Sequence, residues 1–190
     1  MEKTIGALDK RAYFKNGENI YIHLSDNMEM NHVSHRHNFI EVSFVVSGTA
    51  VHTIENESYP VKKGNVVIVD YNTPHTFSFD PETDGPFMTY DLLFTPDFFN
   101  ISGINNSEFY SLASSYLFAP LFKEFGPGYT LNHLIKTNAK EFHQLFDQLH
   151  REYTRREMGS QTLLRAYLIE LIIKMFREIV IYTDYLFKLF

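Results

Sequence analysis

Three histidines and a glutamate have the residue types and spacing for ligand or metal chemistry in this 190-residue sequence. The run His35-Arg36-His37-Asn38-Phe39-Ile40-Glu41 is followed by Gly48, then by Gly64 and by Pro74-His75. Side chains alternate faces in an extended strand, so this spacing predicts His35, His37 and Glu41 on one face with Phe39 between them. A barrel that curls back adds His75. Imidazole and carboxylate are the donors that Zn, Ni, Fe or Mn accepts in a site with open positions. The same set suits a metal-free pocket that orients a small molecule by hydrogen bonds.

The segment from His35 to Gly48 resembles the first motif of the cupin superfamily, a histidine-x-histidine with a glutamate four residues on and a glycine seven beyond that. Gly64 to His75 resembles the second motif, a glycine opening a strand that closes on a histidine. Asp70 and Asn72 stand where that motif usually carries proline and glycine. The wording of the run from His37 to Gly48, of Tyr59 to Val69 and of Pro74-His75 is similar to the sensory domain of AraC-type transcription regulators. In that family a cupin barrel is followed by two long helices that dimerise and by a DNA-binding domain of two helix-turn-helix units. The likeness runs to about Arg177, and the DNA-binding part has no counterpart in this sequence.

The resemblance implies a small-molecule-sensing and dimerisation domain, not an enzyme, that forms a homodimer through its C-terminal helices. The other reading of the same motifs is a metal-dependent cupin enzyme, an isomerase or oxygenase acting on a small polar substrate around an ion with open positions. Either way, His35, His37, Glu41 and His75 are the expected ligand-binding or metal-binding residues. Phe44, Tyr71, Phe77, Tyr90 and Phe94 are the aromatics expected to stack on a small ligand. Phe44 is out of phase with Glu41 on the same strand. His23, His32, His52, His133, His143 and His150 lack partners at ligand spacing and read as surface or structural groups.

The elements that must position these residues fall into two periods. Short runs rich in valine, isoleucine, phenylalanine and tyrosine occupy 19–24, 39–46, 50–55, 65–70, 75–79 and 88–94, each bounded by turn chemistry such as Ser47-Gly48, Lys63-Gly64 or Asp84-Gly85-Pro86. Many short strands at this spacing predict a sandwich or small barrel. A short helix is expected within 107–117, and the breaker Phe125-Gly126-Pro127-Gly128 closes the sensory region. The division is therefore a barrel over 1–128 and a helical dimerisation segment over 129–190. The fold class is mainly β with C-terminal α, a cupin-type antiparallel barrel followed by two long amphipathic helices.

Phe142, Leu145, Phe146, Leu149 and Tyr153 follow one helical stripe. Gly159 is expected to stop that helix and Ser160 to cap the next. The second helix carries Leu164, Leu168, Leu171, Met175 and Ile179 along one side, and Leu163, Tyr167, Ile172, Phe176 and Val180 widen the stripe. Burial against the barrel and a homodimer interface both account for that width.

Composition excludes several classes. There is no cysteine, so disulfides and thiolate metal sites are absent. The net charge of -6 lacks the basic footprint of a nucleic-acid binder. Glu2, Lys3, Asp9, Lys10 and Arg11 interrupt any signal-peptide pattern at the start, which leads us to expect a cytoplasmic protein. Glu170 and Lys174 break the most apolar stretch well short of the ~20 residues a membrane span needs.

Overall fold

The computed structural model describes residues 3–14, 18–99 and 134–187. The helix expected within 107–117 and the breaker at 125–128 lie outside the described residues. Among the described residues up to 99 there are nine strands: β1 (Lys3–Leu8), β2 (Ile20–Ser25), β3 (Val33–His37), β4 (Ile40–Ser47), β5 (Thr49–Ile54), β6 (Glu57–Lys62), β7 (Asn65–Val69), β8 (His75–Ser78) and β9 (Met88–Phe94). Among the described residues from 134 on are β10 (Leu134–Lys136), α1 (Ala139–Arg155) and α2 (Ser160–Phe187).

The strands form two five-stranded sheets, ordered β1-β3-β8-β5-β6 and β10-β7-β4-β9-β2. Every pairing is antiparallel except β1 with β3. This is the cupin-like β architecture followed by two helices that the sequence implies. Leu134–Lys136, on the helical side of the division at 128, pairs with β7 and extends the second sheet.

The second sheet is covered on both sides, which explains why β4 reads as a nearly continuous apolar run without clean alternation. Towards the first sheet, Val45, Val67 and Val69 pack with Ala50, Ile54, Val61, Phe77, Phe79 and Phe87. Towards the helices, Ile40, Val42, Phe44, Val66, Ile68, Leu92 and Phe94 pack with the predicted α1 stripe of Phe142, Leu145, Phe146, Leu149 and Tyr153. Phe44 stacks on Phe146 with ring centroids 5.2 Å apart. Leu164, Leu168, Leu171, Ile172 and Met175 of α2 join this same core, so that much of the broad stripe is buried within one chain, while Leu163 remains 43% exposed.

The helix boundary differs from expectation. The chain leaves α1 at Arg156, which adopts the left-handed conformation at φ 53° and donates its N–H to Glu152 O. Its guanidinium lies over the Tyr153 ring and pairs with Glu18, contacts that hold a non-glycine residue in this conformation. Gly159 instead begins α2, its carbonyl accepting from the N–H groups of Thr162 and Leu163.

The turn glycines serve close approach as well as conformation. Gly64 has φ +87°, and a Cβ there would sit 2.7 Å from Ala139 Cβ, so the β6–β7 turn meets the first residue of α1. Asn72, where the family motif has glycine, also takes positive φ, at 56°. Asparagine tolerates this region better than most side chains.

Candidate ligand-binding site

The expected histidines and glutamate converge by a different route from the one their spacing predicts. Residues 38–39 form a bend, so His35–Glu41 is not one strand. His35 and His37 lie on β3 in the first sheet, and Glu41 lies on β4 in the second. His75 joins the histidines by direct register pairing, His35 opposite His75 in β3–β8, with ring centroids 4.2 Å apart. The closure of the two sheets supplies Glu41, not His75. Ligand atoms of His35, Glu41 and His75 all lie within 4.8 Å of one another. His37 stands beside this trio, stacked flat on Phe39 at 4.3 Å, with Nε2 3.1 Å from Glu41 Oε2.

Local backbone bonds fix the tautomers. His35 Nδ1 is 3.1 Å from Val33 O, His37 Nδ1 is 2.8 Å from Phe39 O, and His75 Nδ1 is 3.2 Å from Thr73 O. A carbonyl only accepts, so each Nδ1 carries a proton and each ring turns its Nε2 towards the site. His37 Nε2 and His75 Nε2 are buried without a hydrogen-bond partner, and His75 Nε2 is 3.7 Å from Glu41 Oε2. A neutral His37 and a Glu41 carboxylate would face each other as two acceptors at 3.1 Å. That space therefore calls for positive charge, either as a proton on Nε2 or as a bound cation.

A second group completes the floor of the site. Ser43 and Asp91 are opposite one another in β4–β9, and Asp91 is opposite His23 in β2–β9, giving a polar row across three strands. Ser43 Oγ is 2.9 Å from Glu41 Oε1 and 2.7 Å from Asp91 Oδ1. His23 Nε2 is 3.8 Å from Asp91 Oδ2. Asn27 Nδ2 donates to Thr89 Oγ1 at 2.8 Å on the same strand face as Asp91.

The electrostatics follow from burial and proximity. Burial, with His75 next to it, pulls His35 down to about 4, so its imidazole is neutral near pH 7. Burial works to raise Glu41, but contacts with His37 and His75 outweigh it and hold this carboxyl well below its usual range. Asp91 moves the other way: burial, reinforced by the Glu41 charge, pushes it up to about 6 against the opposing pull of His23 and Ser43.

A cavity of about 100 Å³ opens onto these groups, lined among others by His23, His35, Glu41, His75, Phe77 and Asp91. Of the five aromatics expected at a ligand, Phe77 lines it. Phe44, Tyr90 and Phe94 belong to the opposite, helix-facing side of the sheet, because each is one residue out of phase with Glu41, Asp91 or Leu93. Tyr71 is half-buried and also packs against the helix-side core. A larger groove of about 490 Å³ runs between α1 and α2, but its charges pair with one another, Arg151 with Asp147 and Lys174 with Glu141 and Glu170.

Sequence reasoning missed Asp91, Ser43 and His23. His23 reads as a structural histidine because its partner is 68 positions away in the chain, on a strand that pairs with its own. The available signal was Asp91 itself, a carboxylate inside the apolar run Tyr90-Asp91-Leu92-Leu93-Phe94, where a buried charge is the informative exception. Among the described residues, no helix is long and apolar enough to cross a membrane.

No curated protein matches the chain. Among solved structures, apo ToxT from Vibrio cholerae is 12% identical, with 83% of this chain and 56% of that one covered at a TM-score of 0.47. The AraC-like transcriptional activator CuxR is 12% identical, with 82% and 49% covered at a TM-score of 0.35. The plu4264 protein of Photorhabdus luminescens is 23% identical, with 41% and 59% covered at a TM-score of 0.30. The chain spans about half the length of ToxT and of CuxR. The family described as the AraC-like ligand binding domain matches residues 19–172. With that match over most of its length, the chain belongs to the family of AraC-like ligand-binding domains.

Proposed function

We propose that this chain is the small-molecule-sensing domain of an AraC-type transcription regulator and not an enzyme, with the cavity above Glu41, His75 and Asp91 as its sensory site. One observation carries the reading. β4 and β9 present Glu41 and Asp91 to the cavity, joined through Ser43, and, on alternate positions, Val42, Phe44, Tyr90 and Leu92 to the helices. A ligand on one face therefore bears on the sheet that forms the floor of α1. Coupling requires that the ligand bind two arrangements of this sheet and helix with different affinity.

In this reading α1 and α2 carry the response to a homodimer partner in the cytoplasm, and DNA is not contacted by this chain. A thermal-shift screen of small polar compounds, followed by hydrogen exchange with each hit, tests it. Hits abolished by Phe77→Trp should raise protection in α1. Unchanged protection in α1 with the cavity filled would refute the coupling.

The second reading, a metal-dependent enzyme, is favoured by the three Nδ1–carbonyl bonds, the arrangement that orients metal-ligating histidines. The donor set fits a divalent ion of the Zn, Ni, Fe or Mn type: His35, Glu41 and His75 would hold it, with His37 alongside. The ion would supply Lewis-acid polarisation of a substrate oxygen. Metal content after dialysis against each ion, compared with His75→Ala, tests this. Stoichiometric metal that the variant loses supports the second reading, and a metal-free protein that still binds small molecules removes it.

A further inference from the structure

The cavity is lined by two carboxyls, Glu41 and Asp91, and by His23, His35 and His75; Tyr13, Ser25 and Asn27 bring neutral donors, and among the described residues no lysine or arginine lines it. Glu41 and Asp91 share one hydroxyl, Ser43 Oγ, which has a single proton to give to two carboxyl groups. When both carboxyls are ionised, one of the two contacts sets oxygen against oxygen. The histidines add an independent observation. His75 is 1% exposed, its Nδ1 is committed to Thr73 O, and its Nε2 is buried with no hydrogen-bond partner, 3.7 Å from Glu41 Oε2. Both features lack the same thing, a positively charged hydrogen-bond donor.

Resting on the reading of this cavity as the sensory site, we infer that the effector is a compact organic cation, an ammonium or amidinium compound of a few heavy atoms. Its N–H groups are shared among Glu41, Asp91 and His75, and its carbon part lies against Phe77. Size sets the first limit: about 100 Å³ is well below the ~300–1,000 Å³ of pockets that take drug-sized ligands. Charge sets the second. A carboxylate or phosphate ligand would lie beside Glu41 in a water-poor space, where like charges repel strongly. A cation there gains charge-assisted hydrogen bonds, which are roughly twice as strong as neutral ones, and an aromatic wall adds to its attraction.

An isosteric series separates charge from shape. Acetamidinium, acetamide and acetate have the same heavy-atom outline and carry positive, zero and negative charge. Each is titrated into the EDTA-treated chain at neutral pH and followed by amide NMR shifts and calorimetry, with Zn²⁺ as a fourth probe. The expected result is that acetamidinium binds at least about tenfold more tightly than acetamide and that acetate does not bind. Asp91→Asn, which keeps the side-chain shape, should weaken acetamidinium by about tenfold or more and narrow its lead over acetamide. Phe77→Trp, which fills the cavity, should abolish both.

Acetamide or acetate binding as tightly as acetamidinium, and lost in Phe77→Trp, overturns the cationic class while leaving the sensory reading intact. Zn²⁺ shifting the same amides when acetamidinium shifts none overturns it in favour of a metal ion. Silence from all four probes on folded protein overturns both the cationic class and the cavity as sensory site. Should Asp91→Asn fail to fold, Glu41→Gln serves instead: it removes the other carboxyl charge that lines the cavity and predicts the same loss of selectivity between acetamidinium and acetamide.

Discussion

On the helix side of β4 and β9, Val42, Phe44, Leu92 and Phe94 meet Phe142, Phe146 and Leu149 in a core whose members are nearly all below 5% exposure. One residue along each strand, on the cavity side, Glu41, Ser43 and Asp91 are also buried, at 8%, 0% and 7% exposure, but meet histidines, a shared hydroxyl and a cavity of about 100 Å³. Both faces are buried, and they differ in satisfaction. Apolar atoms on the outer face have their partners within the chain. On the inner face, His37 Nε2 and His75 Nε2 do not. Buried acceptors without partners cost stability, so these two, which stand on β3 and β8 of the first sheet opposite Glu41, mark the space between the sheets as the side that binds something.

The largest effect should come from breaking the outer face. Phe146 is fully buried and stacks on Phe44 at 5.2 Å and on Tyr90 at 6.3 Å. Phe146→Ala should cost about 3–5 kcal/mol, because it removes the ring and leaves a hole that rigid strands cannot close. Urea unfolding checks it through a lower midpoint at an unchanged slope. A loss below ~1 kcal/mol would mean that α1 does not depend on this contact, and the transmission route through β4 would go with it.

Asp91 tests the inner face through pH. Its carboxyl is raised from 3.8 to about 6, so the folded protein holds that proton more tightly than the unfolded chain does. The resulting stabilisation is complete below about pH 4 and disappears as pH rises through about 6, a difference of at most about 3 kcal/mol. Glu41, held below its usual range, contributes the opposite trend at lower pH. Asp91→Asn should therefore gain stability relative to the parent between pH 4 and pH 7, as seen in melting temperatures across that range. Parallel pH curves for the two proteins would show that Asp91 ionises without penalty and that the inner face is already satisfied.

How much of this was legible in the sequence also divides by face. The α1 stripe could be read residue by residue because that helix is apolar on one side only, and a period of 3.6 then shows directly. The motif residues His35, His37, Glu41 and His75 were legible by type, and they do meet. Their route was not legible, because a two-residue bend at 38–39 leaves no glycine or proline to announce it and divides the motif between two sheets. β3 and β6 carry few β-branched residues and are held by their neighbours more than by their own propensity. Asp91 escaped for the same reason that Tyr90 and Phe94 were expected at the ligand: a strand buried on both faces loses the alternation that would tell inside from outside.

Gly64 sharpens the comparison where the sheet edge meets the helix. It combines φ +87° with only 2.7 Å between a would-be Cβ and Ala139 Cβ. Gly64→Ala should cost about 2 kcal/mol from the left-handed conformation and the clash together. Adding Ala139→Gly should recover the clash share and leave the conformational share, read as a coupling energy in a double-mutant cycle. Ligand binding on the cavity face should not change in either variant, because the strain falls on the helix side. A change in ligand affinity without a change in stability would reverse the roles assigned to the two faces.

The smallest effect should come from the ion pairs between the helices. Lys174 pairs with Glu141 on α1 and, at 3.4 Å, with Glu170 on its own helix, and the two glutamates are 42% and 50% exposed. Solvent screens such pairs, so Lys174→Ala should cost only about 0.5 kcal/mol and less as salt is added. This small value follows from the same contrast. The helix pair is held by Leu145, Leu149, Leu168 and Leu171 in the shared core, and the charges over the groove lie above a contact already made. A loss above ~1.5 kcal/mol that persists in 1 M salt would mean that the groove between α1 and α2, and not the apolar stripe beneath it, fixes how α2 rides on α1. The ligand signal would then have to reach α2 through charged groups at the surface.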